Sequence, residues 1–194
     1  MTIHSASKGQ AAWFTGLPGS GKSSISRKVY ERLKEQGLYA VHLQMDQRRK
    51  EYFPEPSYTS EERKKAYQLF AEEAADLAGQ GHFVIMDATA PKKTMRDMAR
   101  NLISRFIEIH IACSLETAMQ RESKRPEGLV MADLYTKALE RKKTGKDFSG
   151  LGQVIGVDVP FEKDPNAECV IENDDLTLEQ AVEKALECIK AKLE

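Results

Sequence analysis

Three features of the 194-residue sequence predict an α/β fold, with a parallel sheet of about five strands covered by helices on both faces. Short apolar runs of strand type alternate with amphipathic helical stretches along the chain. The run His82-Phe83-Val84-Ile85-Met86-Asp87 is almost wholly apolar until its terminal carboxylate, as in a parallel strand buried on both faces. The segment Gly16-Leu17-Pro18-Gly19-Ser20-Gly21-Lys22-Ser23 matches G-x-x-x-x-G-K-S/T between a strand and a helix, the signature of the P-loop NTPase fold.

Each element has its own signal. Residues 1–9 read as a loose polar arm. Ala11 to Thr15 form the first strand. The helix after the glycine loop places Ile25, Val29 and Leu33 on one face and should end near Gly37, which suits a left-handed cap. Leu38 to Leu43 read as the second strand, and Glu51 to Tyr58, rich in proline and aromatics, as a loop. Thr59-Ser60-Glu61-Glu62 fits a capping box for a helix that carries Ala66, Leu69, Phe70, Ala74 and Leu77 at helical spacing. Pro91 sits where the next helix should begin, with Met95, Met98, Ala99 and Leu102 on one side. Phe106 to Ile111 give a fourth strand, and Ser114 an N-cap for a helix through Ala118, Met119 and Arg121. A helical piece surrounds Leu134, Tyr135, Ala138 and Leu139, whereas residues 151–167 show no period. Cys169 to Ile171 make a fifth strand. Thr177-Leu178-Glu179-Gln180 opens a last helix with Val182, Ala185, Leu186, Ile189 and Leu193 inward.

Composition narrows the class. The chain is expected to be a single domain, 1–194, with a lid-like segment near 123–150. Its 29 basic and 30 acidic side chains leave a formal charge of −1, so no global field favours nucleic acid or a membrane surface. The first twelve residues lack an apolar signal-peptide core, and the apolar runs are strand-sized rather than membrane-spanning. Cys113, Cys169 and Cys188 are widely spaced, which points to buried small hydrophobes rather than a disulfide framework or metal set, and to a reducing, cytoplasmic setting.

The chemistry should lie beyond the carboxyl ends of the strands. Gly16, Leu17, Pro18, Gly19, Ser20, Gly21, Lys22, Ser23 and Ser24 should surround the ATP phosphates, with the backbone N–H groups of all but Pro18 available to them and the following helix's dipole facing the same anion. Lys22 should reach the β- and γ-phosphates, and Ser23 should ligate Mg²⁺. Asp46, after the second strand, is the candidate catalytic base; the alternative is a solvated turn aspartate. Asp87, after the third, is a candidate metal-associated carboxylate or a helix cap. Among many basic residues on solvated helix faces, Arg49, Arg63 and Arg121 are those expected in the site, since arginine forks suit phosphate-rich ligands.

These residues resemble the adenylylsulfate kinase (APS kinase) family. Trp13-Phe14-Thr15-Gly16-Leu17-Pro18-Gly19-Ser20-Gly21-Lys22-Ser23 is similar to its W-x-T-G-L-x-G-S/A-G-K-S/T. Arg96-Asp97-Met98-Ala99-Arg100, Phe106-Ile107-Glu108, Leu134-Tyr135-Thr136-Lys137-Ala138, Lys146-Asp147-Phe148-Ser149-Gly150-Leu151 and Pro160-Phe161-Glu162 resemble its later motifs in order. The resemblance implies phosphorylation by ATP, with Mg²⁺, of the 3′-hydroxyl of adenosine 5′-phosphosulfate (APS), a small-molecule nucleotide partner, and a homodimer. It places Asp46 near the acceptor hydroxyl, Arg49 and Arg63 on the acceptor, and Phe148, with Lys146 beside it, on the acceptor's adenine. Three positions depart from the pattern. D-G-D-N appears as Gln44-Met45-Asp46-Gln47, Ala66 stands where the family has asparagine, and Lys92 replaces an aromatic. A kinase of another small hydroxyl acceptor on the same frame is the alternative these departures leave open.

Overall fold

The computed structural model describes residues 9–55, 59–124 and 133–193. Its elements follow in the order Gln10–Thr15 (β1), Lys22–Glu35 (α1), Ala40–Gln44 (β2), Met45–Tyr52 (α2), Ser60–Gly79 (α3) and Phe83–Asp87 (β3). Then come Lys93–Leu102 (α4), Phe106–Ala112 (β4), Leu115–Ser123 (α5), Leu134–Thr144 (α6), Cys169–Glu172 (β5) and Leu178–Leu193 (α7). The five strands pair in the order β2-β3-β1-β4-β5, every pair parallel. β3 and β4 are buried at every position, which explains their unbroken apolar runs.

Side-chain alternation along each strand divides the core in two. Trp13, Val84, Met86 and Phe106 face α3 and α4, where they pack with Phe70, Ala74 and Met95. Phe14, Ile85, Ile107 and Ile109 face α1 and α7, against Ile25, Val29, Val182 and Ala185. Each such large apolar side chain, fully buried, contributes roughly 1.5–3 kcal/mol. A third, smaller cluster joins α5 and α6 to the glycine loop through Ala118, Tyr135, Ala138, Leu151 and Val154, with Leu17 and Phe148 packed against it.

The starts of α3, α5 and α7 follow the caps expected from sequence, whereas α4 begins at Lys93, two residues past Pro91. Thr59 accepts a hydrogen bond from the Glu62 N–H, and Ser114 from the Thr117 N–H. Thr177 and Gln180 form a reciprocal capping box, at 3.3 and 2.9 Å. Past α1, Gly37 takes φ 81°, and the Leu38 N–H reaches the Leu33 carbonyl.

The structure corrects four sequence expectations. β2 begins at Ala40 rather than Leu38; Leu38 and Tyr39 are exposed at the sheet edge. The residues carrying Asp46 and Arg49 form helix α2 directly off β2, and it runs to Tyr52 inside the expected loop. On α4, Leu102 is exposed while Arg96 is fully buried, so the inward stripe is Met95, Arg96 and Ala99. Cys169 and Cys188 are joined in a disulfide, and Cys113 is the free thiol. Spacing along the chain did not reveal the pairing because it is tertiary: α7 lies on β5 and brings the two Cα atoms to 6.2 Å. The polar arm at 1–8, Tyr58 and the stretch 125–132 of the charged segment fall outside the described residues.

Candidate active site

Strand β1 delivers the chain into the glycine loop, and the packing there leaves no room for side chains at two of its glycines. Gly16 has φ 141° and Gly19 φ 84°. A Cβ would meet the Ile111 carbonyl at 2.4 Å in the first case and the Ala118 carbonyl at 2.2 Å in the second. The loop turns through Ser20 N–H to Leu17 O, 3.0 Å, and passes into α1. No acidic side chain occupies the first turn of α1, so the positive end of its dipole faces an anion without competition from a carboxylate there.

Three residues from distant elements fix the loop. Asn173, just after β5, donates its amide to the Ser20 carbonyl at 2.7 Å. Arg121, on α5, donates to Ser20 O at 3.5 Å and to Asp174 O at 2.9 Å. Tyr135, on α6, donates its hydroxyl to Pro18 O at 2.7 Å. Of these, sequence reasoning singled out Arg121 for the site. Asn173 sits immediately past a strand's carboxyl end, the position where such residues concentrate, and that placement was the available signal. Tyr135 was visible only as part of a motif.

Lys22 is buried in the loop, and Ser23 Oγ donates to Asp87 Oδ1 at 3.1 Å. Behind them, Ser26 Oγ bonds Ser23 O and lies 3.2 Å from His42 Nε2. Burial pushes the His42 pKa down, partly offset by the nearby Asp87 carboxylate.

On the other side of Asp87, at the carboxyl ends of β2 and β3, stand the residues expected to meet the acceptor. Asp46 is exposed in the first turn of α2. Arg49, three residues on, lies 3.5 Å from Glu62. Arg63, on α3, donates to Gln153 O at 3.3 Å. Burial depresses the Arg63 pKa, and the neighbouring Arg49 adds to this. Asp46, Arg49 and Arg63 all act electrostatically on the phenol of Tyr67, whose pKa burial raises. Tyr67 itself accepts a hydrogen bond from the Ala90 N–H at 2.8 Å, and it carried no functional signal in the sequence. Ala66, beside it, is fully buried in the core and offers no polar group. Phe148 and Lys146 form a separate pair on the segment after α6, with the ammonium 4.8 Å from the ring centroid. That segment reaches the arginines through the Arg63–Gln153 bond.

A glycine loop wrapped on a helix N-terminus at the carboxyl edge of a five-stranded parallel sheet, with a serine–aspartate pair beside it, defines a P-loop kinase. The family profile described as adenylylsulphate kinase matches residues 8–172, and the chain belongs to that family. It is a transferase of the phosphotransferase class with an alcohol acceptor. It is 31% identical over 191 residues to a probable adenylyl-sulfate kinase of Aeropyrum pernix, covering 96% of each chain. It is 33% identical to the adenylyl-sulfate kinase of Clostridium kluyveri, covering 94% of this chain and 84% of that one. The fold matches an APS kinase of Mycobacterium tuberculosis solved in complex with AMPPNP and APS, with TM-score 0.78, 24% identity, and 94% and 98% of the two chains covered. Among the described residues, no helix is long and apolar enough to cross a membrane.

Proposed function

We propose that the chain transfers the γ-phosphoryl group of ATP to the 3′-hydroxyl of APS, giving PAPS and ADP. The observation that carries this reading is the layout of the sheet edge: the glycine loop follows β1, Asp87 ends β3 against Ser23, and Asp46 and Arg49 follow β2, where Arg49 lies 3.5 Å from Glu62, the neighbour of Arg63. The acceptor oxygen attacks the γ-phosphorus, the bond to the bridging β–γ oxygen breaks, and ADP leaves. Asp46 orients the hydroxyl and takes its proton. Lys22 and the N-terminus of α1 stabilise charge on the transferred group. Arg49 and Arg63 bind the anionic phosphosulfate, Phe148 stacks on the adenine with Lys146 beside it, and Arg121 supports the ATP side. Ser23 and Asp87 present a hydroxyl and a carboxylate oxygen 3.1 Å apart, hard donors that fit Mg²⁺. Bound there with ATP, Mg²⁺ supplies neutralisation of phosphate charge. The chain is taken to work as a single kinase domain and as a homodimer, which sedimentation at assay concentration tests.

A second acceptor is favoured by one observation. The fully buried Ala66 cannot supply the polar contact that an asparagine would. The deciding measurement is ADP release with ATP and Mg²⁺, comparing APS with nucleotides that lack the sulfate and with simple hydroxyl compounds. Turnover with APS above all others supports the first reading. ADP formation with another acceptor and none with APS replaces it.

A further inference from the structure

The motifs around Arg96, Glu108 and Phe161 touch none of the groups assigned to ATP or acceptor, yet they meet at one place in the fold. Arg96 is fully buried, and its Nε lies 2.9 and 3.0 Å from the two carboxylate oxygens of Glu108. Nη1 donates to Ala90 O and Nη2 to Glu162 O, each at 2.5 Å, and the guanidinium lies 5.1 Å from the Phe161 ring centroid. Glu108 in turn accepts from Thr15 Oγ1 at 3.0 Å, and Thr15 is the residue just before Gly16. A buried ion pair is weak evidence for stability, since packed apolar side chains do as well. What this one holds is therefore informative.

It holds a short turn. Ala90 has φ 44°, in the left-handed region that costs a residue with a Cβ. Its carbonyl is bound by Arg96 and its N–H by the Tyr67 hydroxyl, at 2.8 Å, while Trp13 Nε1 binds the Ala88 carbonyl at 3.2 Å. Three bulky buried side chains thus fix Ala88 and Ala90 in the turn that follows Asp87. This turn runs from Asp87, which meets Ser23, to the Ala90 N–H, which meets Tyr67 on α3, the helix that carries Arg63.

We propose that Arg96 is a positioning residue for phosphoryl transfer, holding the 88–90 turn in its left-handed form and tying it through Glu108 and Thr15 to the glycine loop. The inference rests on the kinase reading above. It implies that donor and acceptor halves keep their spacing through this clamp rather than through the ligands alone.

The test uses Arg96→Lys and Tyr67→Phe, which release the turn from opposite ends of the Ala90 residue. Three quantities are read: fluorescent ADP affinity, steady-state kinetics with APS, and amide exchange of a peptide spanning 87–92. The expected result is faster exchange at 88–91, kcat lowered about 10-fold or more, as a misplacement of the reacting groups produces, and ADP affinity within about 3-fold of wild type. Adding Ala90→Gly to Arg96→Lys should recover part of kcat, because glycine takes the left-handed conformation freely. General destabilisation would not be rescued in this way. If Arg96→Lys does not fold, Tyr67→Phe decides alone. Unchanged exchange and kcat overturn the proposal, as does a joint fall of kcat and ADP affinity without rescue by glycine. If the wild type does not turn over APS, the substrate reading fails. The exchange data and the kcat for whichever acceptor the wild type does phosphorylate then judge the clamp separately.

Discussion

The proposed donor and acceptor halves of the site are built in opposite ways. The donor half is one contiguous loop whose glycines, lysine and serine follow each other from Gly16 to Ser23, with supports from α5, α6 and β5 added around it. The acceptor half has no contiguous core. Asp46 and Arg49 come from α2, Arg63 and Tyr67 from α3, the clamped turn from the end of β3, and Phe148 from the segment after α6. Backbone N–H groups recognise phosphate wherever the loop forms, so a local sequence suffices. A specific hydroxyl acceptor must be met by side chains from several directions, and only the folded sheet edge brings those together. The departures from the family pattern fall in the second half, where each contact is made by a separate element.

This comparison can be broken most sharply at Asp46. If the two halves act separately, Asp46→Asn lowers kcat by about 10²–10⁴-fold with ATP affinity nearly unchanged. Loss of ATP binding instead would make Asp46 part of the donor half, and Asp87 would then need the same measurement. Lys22→Ala should cost about 10²-fold or more in kcat, with the fold checked by circular dichroism. Turnover within a few-fold of wild type would remove Lys22 from the mechanism.

His110, on β4 beside β1, lies 3.4 Å from Thr15 and is stacked on Phe161 at 4.8 Å. Burial, with Arg96 and Lys163 nearby, lowers its pKa to about 4. The unfolded chain titrates near the ordinary value, so it binds the proton first as pH falls. Stability attributable to this group is therefore intact above about pH 6.5 and lost progressively down to about pH 4, on the order of 3 kcal/mol in all. Denaturant melts of wild type and His110→Asn across that window should diverge in slope. Parallel curves would show that the ring is not held neutral.

Phe148→Ala sharpens the acceptor side alone. Base stacking on an aromatic ring is worth ~1–3 kcal/mol, so KM for APS should rise roughly 5- to 150-fold while KM for ATP stays put. An unchanged KM for APS would move the adenine pocket elsewhere. Tyr135→Phe is the smallest expected effect. It removes one hydrogen bond between α6 and Pro18, worth about 0.5–1.5 kcal/mol, and should raise KM for ATP by about 2- to 12-fold at most. A larger effect confined to APS would join the α6 segment to the acceptor half.

Much of the fold was legible in advance. β3 and β4 could be read from their apolar runs because both faces of a central parallel strand are buried. The ends of α3, α5 and α7 could be read because capping is local chemistry, at Thr59, Ser114 and Thr177. Helix α2 was missed because Met45 to Tyr52 buries only Met45, leaving almost no inward stripe to show its period. Arg96 was missed as a buried residue because charge signals exposure unless its partners are known, and those partners lie at Ala90, Glu108 and Glu162.

By itself, then, the order of residues determined the alternation of strands and helices, the phosphate loop and the helix caps, since each depends on neighbours a few positions apart. Only the tertiary structure decided the pairing of Cys169 with Cys188, the support of Ser20 by Asn173, the approach of Arg49 to Glu62, and the tie of Ala90 to Tyr67. The physical reason is common to all four. Each is a short-range contact between groups far apart in the chain, and its geometry exists only once the sheet has set which strand ends and helix faces lie side by side.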